Sequence, residues 1–299
     1  MLVSSENFEE IRIPITQFQK QASFLLTKIK EASSTTFSIP EVEEFFNSFN
    51  CHSLKAKSSV KSDIRIIIHD QRAQMSPELG FSIKSQLGSA SSLLNAGKTT
   101  NFVYKINDVS LSEQEIIDIN SINSRSKIKD RIEKLIEHGC KYDFLNTEKT
   151  IFYNNLILID SCLPQIIAEI VYKYYTTNLY KVSDLVNSIE NSNPLNFDKS
   201  NNHQFYTYKI KRFLTDAALG MMPSKVWTGE YDATGGYLII KEDGDVLCYH
   251  IYNKNEFENY LMHNTKLETA SSTRHGFGVL YQDNDELFMN LNLQVRFLK

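Results

Sequence analysis

The chain is poor in patterned cysteine, in excess basic charge, in long apolar runs and in familiar hydrolase signatures, and each shortage removes a class of protein. Its four cysteines, Cys51, Cys140, Cys162 and Cys248, form no CxxC pair and keep no regular spacing. That argues against a structural zinc site and fits reduced thiols in a cytosol. Lys and Arg number 32 against 36 Asp and Glu, a formal charge of −4, whereas a non-specific nucleic-acid coat needs a strong basic excess. A site-specific enzyme can still gather its basic groups around one cleft. No uncharged run approaches the ~20 residues that span a bilayer, and no basic-then-apolar leader opens the chain, so the expected location is the cytoplasm, with no membrane partner. A Walker loop, a GxSxG elbow and an obvious carboxylate pair are all missing, which removes the usual marks of a nucleotide- or sugar-processing hydrolase.

What is present is a folded protein. At 299 residues, 41% hydrophobic and 11% aromatic, the chain can build one substantial core or two modest domains. Residues 7–32 and the stretch SIPEVEEFFNSFN read as two N-terminal helices, with Ser38 and Pro40 placed to start the second. Segments 111–121 and 124–138 also read as helical. The second bears Arg125, Lys127, Lys129, Arg131 and Lys134, and fits either a solvated face or a run beside DNA phosphates. An apolar helix pattern runs from Leu156 to Tyr175, interrupted at Pro164, and further helices are expected at 183–191 and 207–219, with NSNPLNFDKSNN as the loop between them.

The richest stretch is Asp63 to Gly88. In DIRIIIHD, Ile64, Ile66 and Ile68 alternate with Arg65 and Ile67. In ELGFSIKSQLG, Leu79, Phe81 and Ile83 share one parity and Gly80, Ser82 and Lys84 the other, so two strands are expected around the turn QRAQMSP. Antiparallel pairing centred near residues 73 and 74 puts Asp63 opposite Lys84, and Asp70 opposite Pro77 at the closed end. Ser82 and Lys84 share a face because strand side chains alternate with period two. One acidic, one polar and one basic group then converge. Phosphodiester hydrolysis uses those types: a carboxylate anchors Mg²⁺, and a lysine orients the attacking water or stabilises charge on the phosphate. The same spacing also fits an ordinary hairpin with a solvent-facing lysine.

The strings SDIRIIIHD and ELGFSIKSQLGSASSLLNAGKTTNF, with GEYDATGGYLIIKEDGDVLCYHIYN and TKLETASSTRHGFG far downstream, resemble the HpaII family of type II restriction endonucleases, within the PD-(D/E)XK nuclease superfamily. The resemblance spans roughly residues 60 to 104 and 219 to 297, with looser similarity over the rest. It implies Mg²⁺-dependent hydrolysis of double-stranded DNA at CCGG, after the first cytosine, and a cognate DNA methyltransferase acting on the same site. Asp63 matches the first acid of the motif and Lys84 its lysine. The chain departs from the pattern at Ser82, which stands where the motif has its second acid. That leaves the second metal ligand open among Glu78, Gln86, and Glu43 or Glu44 from an upstream helix. A two-fold symmetric target fits a homodimer, while some related enzymes cut palindromes as monomers.

The C-terminal block reads as β-rich. GGYLIIKEDGDVLCYHIYN is a hairpin around a DG turn, and Asp232 with Lys241 makes no second nuclease site, since no acid shares the face of Lys241. In TKLETASSTRHGFG, the hydroxyls of Ser271, Ser272 and Thr273 suit phosphate oxygens, and Arg274, followed by His275, offers the fork that fits guanine. The alternative is a surface loop capped by glycine. Ser91, Ser92, Asn95, Lys98, Thr99 and Thr100 give a second polar surface, suited to DNA backbone contact.

Together these readings predict an α/β fold: a mixed central β-sheet flanked by helices, a restriction-endonuclease-like core and a β-rich C-terminal portion. Residues 1–150 form the catalytic core with its N-terminal helices, 151–218 a helical segment and 219–299 a DNA-gripping portion, or all three belong to one domain.

Overall fold

Strict alternation along this chain becomes strand, and recurrence at three and four residues becomes helix. The computed structural model describes residues 2–3, 10–33, 37–49, 51, 60–67, 77–108 and 111–299. The turn expected between Gln71 and Ser76, together with Ile68 and Asp70, lies outside them.

A two-residue pair, β1 (Leu2–Val3) and β2 (Glu10–Ile11), precedes α1 (Ile15–Glu31) and α2 (Pro40–Asn47). Pro40 sits in the first turn of α2, where its missing N–H costs no hydrogen bond. The two helices meet through aromatic rings, with Phe18 edge-on to Phe45 at 5.2 Å. The chain then makes β3 (Ile64–Ile67), β4 (Glu78–Ser85), β5 (Ser92–Leu94), a 3-10 turn at Lys98–Thr100, and β6 (Asn101–Asn107). Next come α3 (Glu113–Ser121), α4 (Lys127–Glu137) and β7 (Lys141–Thr147). A capping box starts α3: the Ser112 hydroxyl accepts from the Glu115 N–H, and the Glu115 carboxylate accepts from the Ser112 N–H at 2.7 Å.

The middle of the chain is helical: α5 (Thr150–Ile159), α6 (Leu163–Thr176), α7 (Val182–Ser192) and α8 (Phe205–Leu219). The apolar run expected as one interrupted helix is two, bent by 112° between α5 and α6. Pro164 does not interrupt a helix but begins one, standing in the first turn of α6, and the Asp160 carboxylate accepts from the Cys162 N–H at the corner. Among the described residues no single helix is long and apolar enough to cross a membrane.

The last third holds β8 (Gly236–Ile240), β9 (Val246–His250), α9 (Lys254–His263), β10 (Thr265–Leu267), α10 (Ser272–His275), β11 (Leu280–Asp283), β12 (Glu286–Asn292) and β13 (Val295–Phe297). It is β-rich as expected, but α9 was hidden in the polar string KNEFENYLMH. Phe257, Leu261 and Met262 are buried on its apolar face, with Tyr260 packed beside them, too few residues for a clear period against the flanking strands.

The strands form a mixed sheet in the order β3-β4-β8-β9, an antiparallel sheet β11-β12-β6-β7 and a smaller sheet β10-β13-β5. The first is mixed because β4 runs parallel to β8, with antiparallel partners outside them. Helices pack against it through Tyr237 of β8, whose ring meets Phe257 of α9 at 5.3 Å and whose hydroxyl donates to the Ala218 carbonyl of α8. The main cluster of buried residues extends from Leu93 to Phe297.

Candidate active site

The register of β3 on β4 decides what Asp63 faces. Ile64 pairs with Phe81 and Ile67 with Glu78, and the Asp63 N–H donates to the Phe81 carbonyl at 2.8 Å. Continuing that register puts Asp63 opposite Ser82, not Lys84. The expected pairing was therefore two residues out, a shift that changes neighbours but keeps every side chain on its face. Gly80 holds β4 in place from the other side. Its N–H donates to the Thr234 hydroxyl, its carbonyl accepts from the Gly235 N–H, and a Cβ there would lie 2.2 Å from the Asp232 carbonyl oxygen.

Asp63 is exposed, and its Oδ2 is aimed by two donors, the Ile83 N–H at 2.7 Å and the Ser82 hydroxyl at 3.2 Å. Ser82 itself is 1% exposed, so its hydroxyl serves the carboxylate and not the solvent. Lys84 lies with its ammonium 5.1 Å from the centre of the Tyr237 ring. Burial pulls its pKa down, and the charge of Asp63 opposes that shift. A third group, unseen from the sequence, joins them: Lys61. Its pKa falls to about 8, first through burial and then through repulsion by Lys84, with Asp232 and Asp63 acting the other way. Asp232 belongs to this corner, since its Oδ2 accepts from the Lys61 backbone N–H at 3.2 Å. The only sequence signal for Lys61 was a basic residue two places before Asp63. Lys241 instead pairs with Asp245 at 3.6 Å.

The candidate second ligands separate. Glu78 stands at the far end of the described hairpin in an exposed ion pair with Arg65 at 2.8 Å. Four strand residues, roughly 13 Å at the usual rise, divide it from Ser82. It is not part of the Asp63 cluster, because four residues preserve the face but not the proximity. Glu43 accepts from the Ser38 hydroxyl on α2, and Glu44 is exposed on the same helix. Gln86 does stay close. Its N–H donates to Ile240, extending the β4–β8 ladder, and it lines a cleft of about 410 Å³ with Lys84, Ser91 and Lys241. No group of three or more His, Cys, Asp or Glu able to hold a metal occurs among the described residues. One aimed, solvent-facing carboxylate still fits Mg²⁺, which keeps several waters and binds through one or two carboxylates plus phosphate oxygens.

The two segments expected to touch DNA come together. The Asn101 side-chain amide, at the end of the Lys98–Thr100 turn, donates to the His275 carbonyl at 2.9 Å, and the place a Gly276 Cβ would take lies 3.8 Å from Lys98 Cε. Ser271, Thr273 and Arg274 are exposed, as are Asn95 and Lys98, while Ser91, Ser92, Thr99, Ser272 and His275 are half-buried. Thr100 is the exception. It is fully buried, and its hydroxyl bonds to the Gly97 carbonyl and accepts from Asn292, so it builds the turn and cannot reach a duplex. The basic helix divides likewise. Arg131 is buried and donates to the carbonyls of Gly278, Asn120 and Ile122, and Lys134 pairs with Glu137. Arg125 and Lys127 line a cleft with Ser271, Ser272 and Thr273.

A sequence model of the HpaII restriction endonuclease family matches residues 1–297. The chain belongs to that family. It is 50% identical over 298 residues to the type II restriction enzyme HpaII of Haemophilus parainfluenzae, covering 99% of this chain and 82% of that protein. No solved structure matches. In this chain the Asp63 carboxylate, aimed by Ser82 and Ile83, lies in electrostatic reach of Lys84.

Proposed function

We propose that the protein hydrolyses both strands of double-stranded DNA at CCGG, with Mg²⁺ as its cofactor and the PD-(D/E)XK arrangement as its catalytic core. The observation that carries this reading is Asp63 held by Ser82 and Ile83 at the mouth of the β4–β8 pair, next to Lys84. Asp63 would hold the ion through its carboxylate. When bound, Mg²⁺ supplies Lewis-acid polarisation of the phosphate and lowers the pKa of a coordinated water. Ser82 and the Ile83 N–H keep the Asp63 carboxylate in one orientation. Lys84 sits where it can orient the attacking water and stabilise the added negative charge. The water oxygen bonds to phosphorus as one P–O ester bond opens, leaving a phosphate on one strand end and a hydroxyl on the other.

Duplex contact falls to the joined surface of Lys98, Arg274 and their neighbours, with Arg125 and Lys127 at its edge. The resemblance supports a cognate methyltransferase as partner in trans and, for a palindrome, a homodimer. The replacement of an acid by Ser82 favours one rival, a site-specific DNA-binding protein without catalysis. Digesting a plasmid of known sequence in Mg²⁺ and mapping the ends separates them. Cuts at CCGG are expected in Mg²⁺, none in EDTA, and binding without turnover in Ca²⁺, whose looser coordination suits binding better than chemistry. Binding with no cutting in Mg²⁺ would favour the rival, and brisk cleavage in EDTA would remove the metal mechanism.

A further inference from the structure

In a chain with more acidic than basic residues, basic side chains commonly sit against carboxylates, as Lys134 does with Glu137, Lys105 with Glu286 and Lys141 with Asp108. One cleft departs from this. Its volume is about 450 Å³, and it runs between the start of α4 and the segment that leads from β10 into α10. Arg125, Lys127 and Lys129 line it with Ser126, Ser272 and Thr273, and no acidic residue does. The acids close by in sequence are turned elsewhere: Asp130 accepts from the Ser124 hydroxyl, and Glu268 pairs with Lys266 and Arg296. Lys129 is tied to the wall, its ammonium donating to the Thr177 carbonyl at 2.5 Å. Arg125 and Lys127 have no carboxylate partner among the described residues, and the Ser126 hydroxyl caps no N–H of α4. Cations gathered without a counter-ion repel one another, and an anion with several acceptor oxygens relieves that repulsion. A phosphodiester is such an anion.

The position of the cleft decides which phosphate it can take. The cleft beside Lys84 meets the small sheet at Phe297, which pairs with Thr265 of β10, and the Glu268 N–H carries that ladder on to the Gln294 carbonyl. The cationic cleft begins at Thr269, four residues along from Thr265, or roughly 13 Å at the usual rise of a strand. Cutting CCGG after its first cytosine leaves three base pairs on the longer side of the scissile phosphate, about 10 Å at 3.4 Å per step. The cationic cleft thus lies past the end of the target.

We propose that this cleft is a backbone anchor for DNA flanking the target: Arg125 and Lys127 bind a phosphate outside CCGG, beside the hydroxyls of Ser272 and Thr273, and so hold the duplex in register for Arg274 on the same short helix. The inference rests on the protein being a CCGG-cutting nuclease, so wild type is first titrated in Ca²⁺ with a long duplex carrying one central CCGG and then digests it in Mg²⁺. If wild type neither binds nor cuts, the proposed function fails and the anchor fails with it. If wild type does both, the variants test the anchor alone.

Arg125→Ala/Lys127→Gln should weaken binding of the long duplex about tenfold or more, the loss of charge-assisted hydrogen bonds to one anion, at an unchanged melting temperature. The loss should be equal for CCGG and for unrelated sequence, and the salt slope should shrink by about one, the share of one phosphate. Length is the decisive readout. On a short duplex trimmed to the target, which cannot reach the cleft, wild type and the double variant should bind alike. On the long duplex, a single uncharged methylphosphonate moved outward step by step should find a position beyond CCGG where wild type loses affinity and the double variant does not. A wild-type salt slope in the double variant overturns the proposal. So do an equal loss on the long and the short duplex, a methylphosphonate penalty shared by both proteins at every position, or a fall in melting temperature that accounts for the loss. Calorimetric titration with inorganic phosphate separates one more case: binding lost in the double variant, with no change toward the long duplex, would make the cleft a free-anion site and overturn the anchor.

Discussion

Ser82 shows how one atom's surroundings limit the roles a residue can take. Buried, with its hydroxyl on Asp63 Oδ2, it can hold a carboxylate still but adds no negative charge. Ser82→Ala should therefore slow cleavage by about tenfold to a hundredfold, the range for losing a group that orients a metal ligand, because the Ile83 N–H still holds the carboxylate. Single-turnover rates check this, and an unchanged rate would leave the serine with packing alone. Asp63→Ala and Lys84→Ala should each abolish cleavage while metal-independent binding to CCGG duplex persists, as measured by titration in EDTA. Loss of binding in Asp63→Ala would point to a structural role. At this scale the sequence was partly legible. Parity alone put Asp63, Ser82 and Lys84 on one face, but parity is blind to a slip of two, so the true partner of Asp63 stayed hidden. Lys61 and Asp232 were illegible, because nothing local announces a contact across so much chain. Thr100 misled for the opposite reason: a small hydroxyl reads as surface and here closes a turn.

Among the elements, α10 and the Lys98–Thr100 turn act as a unit, since Asn101 and Asn292 knit them and their strands together. Arg274 stands exposed on that unit, with its N–H donating to the Ser271 hydroxyl as part of the cap. Arg274→Ala should weaken binding to CCGG duplex about tenfold or more and relax sequence preference, since a bidentate arginine gives roughly 1–3 kcal/mol of discrimination. Arg274→Lys should recover little of it, because an ammonium lacks the planar fork. A loss equal for all sequences, with a salt slope smaller by about one, would instead assign the arginine to phosphate. Arg131 is the contrasting case. Taking it away strands three carbonyls that it binds from inside α4, so Arg131→Ala should destabilise the fold by about 3 kcal/mol or more, seen as a lower urea midpoint. Composition could not tell Arg131 from Arg125. The burial of one helical face does so, through the close approach of Ile128 to Gly278, where a Cβ would meet that side chain at 2.7 Å.

For the molecule as a whole, one mixed central sheet was expected, whereas the described strands form four separate sheets of which one is mixed, and the β8–β9 hairpin was legible through its DG turn. The union of β4 with β8 was not, because a parallel pair needs a long crossover and leaves no turn signal. The small sheet is fastened by Glu268, which pairs with Lys266 at 3.0 Å and with Arg296 at 3.1 Å, while Arg296 also donates to the Ala90 carbonyl. Burial raises the Glu268 pKa, but the hydrogen bond and charge of Lys266, with those of Arg296, outweigh it and hold the carboxyl below its ordinary value. A depressed carboxyl pKa favours the fold while the group is ionised. Its contribution is therefore present above about pH 4.5 and fades as the pH falls through the lower folded value. Glu268→Gln should lower stability at pH 7 by less than about 1 kcal/mol for a half-buried, solvent-screened pair, seen as a lower melting temperature, and the gap from wild type should close on acidification. A gap that persists at pH 3 would remove the ionic explanation. The β4–β8 pairing also has a consequence for the cell that makes this protein. A growing chain carries Asp63 and Lys84 out of the ribosome long before it has synthesised Asp232 or β8, so the centre cannot assemble on the nascent polypeptide. Products that stop short of Ile240 should thus lack DNA cleavage, and the chemistry of the centre is withheld until β8 has been made.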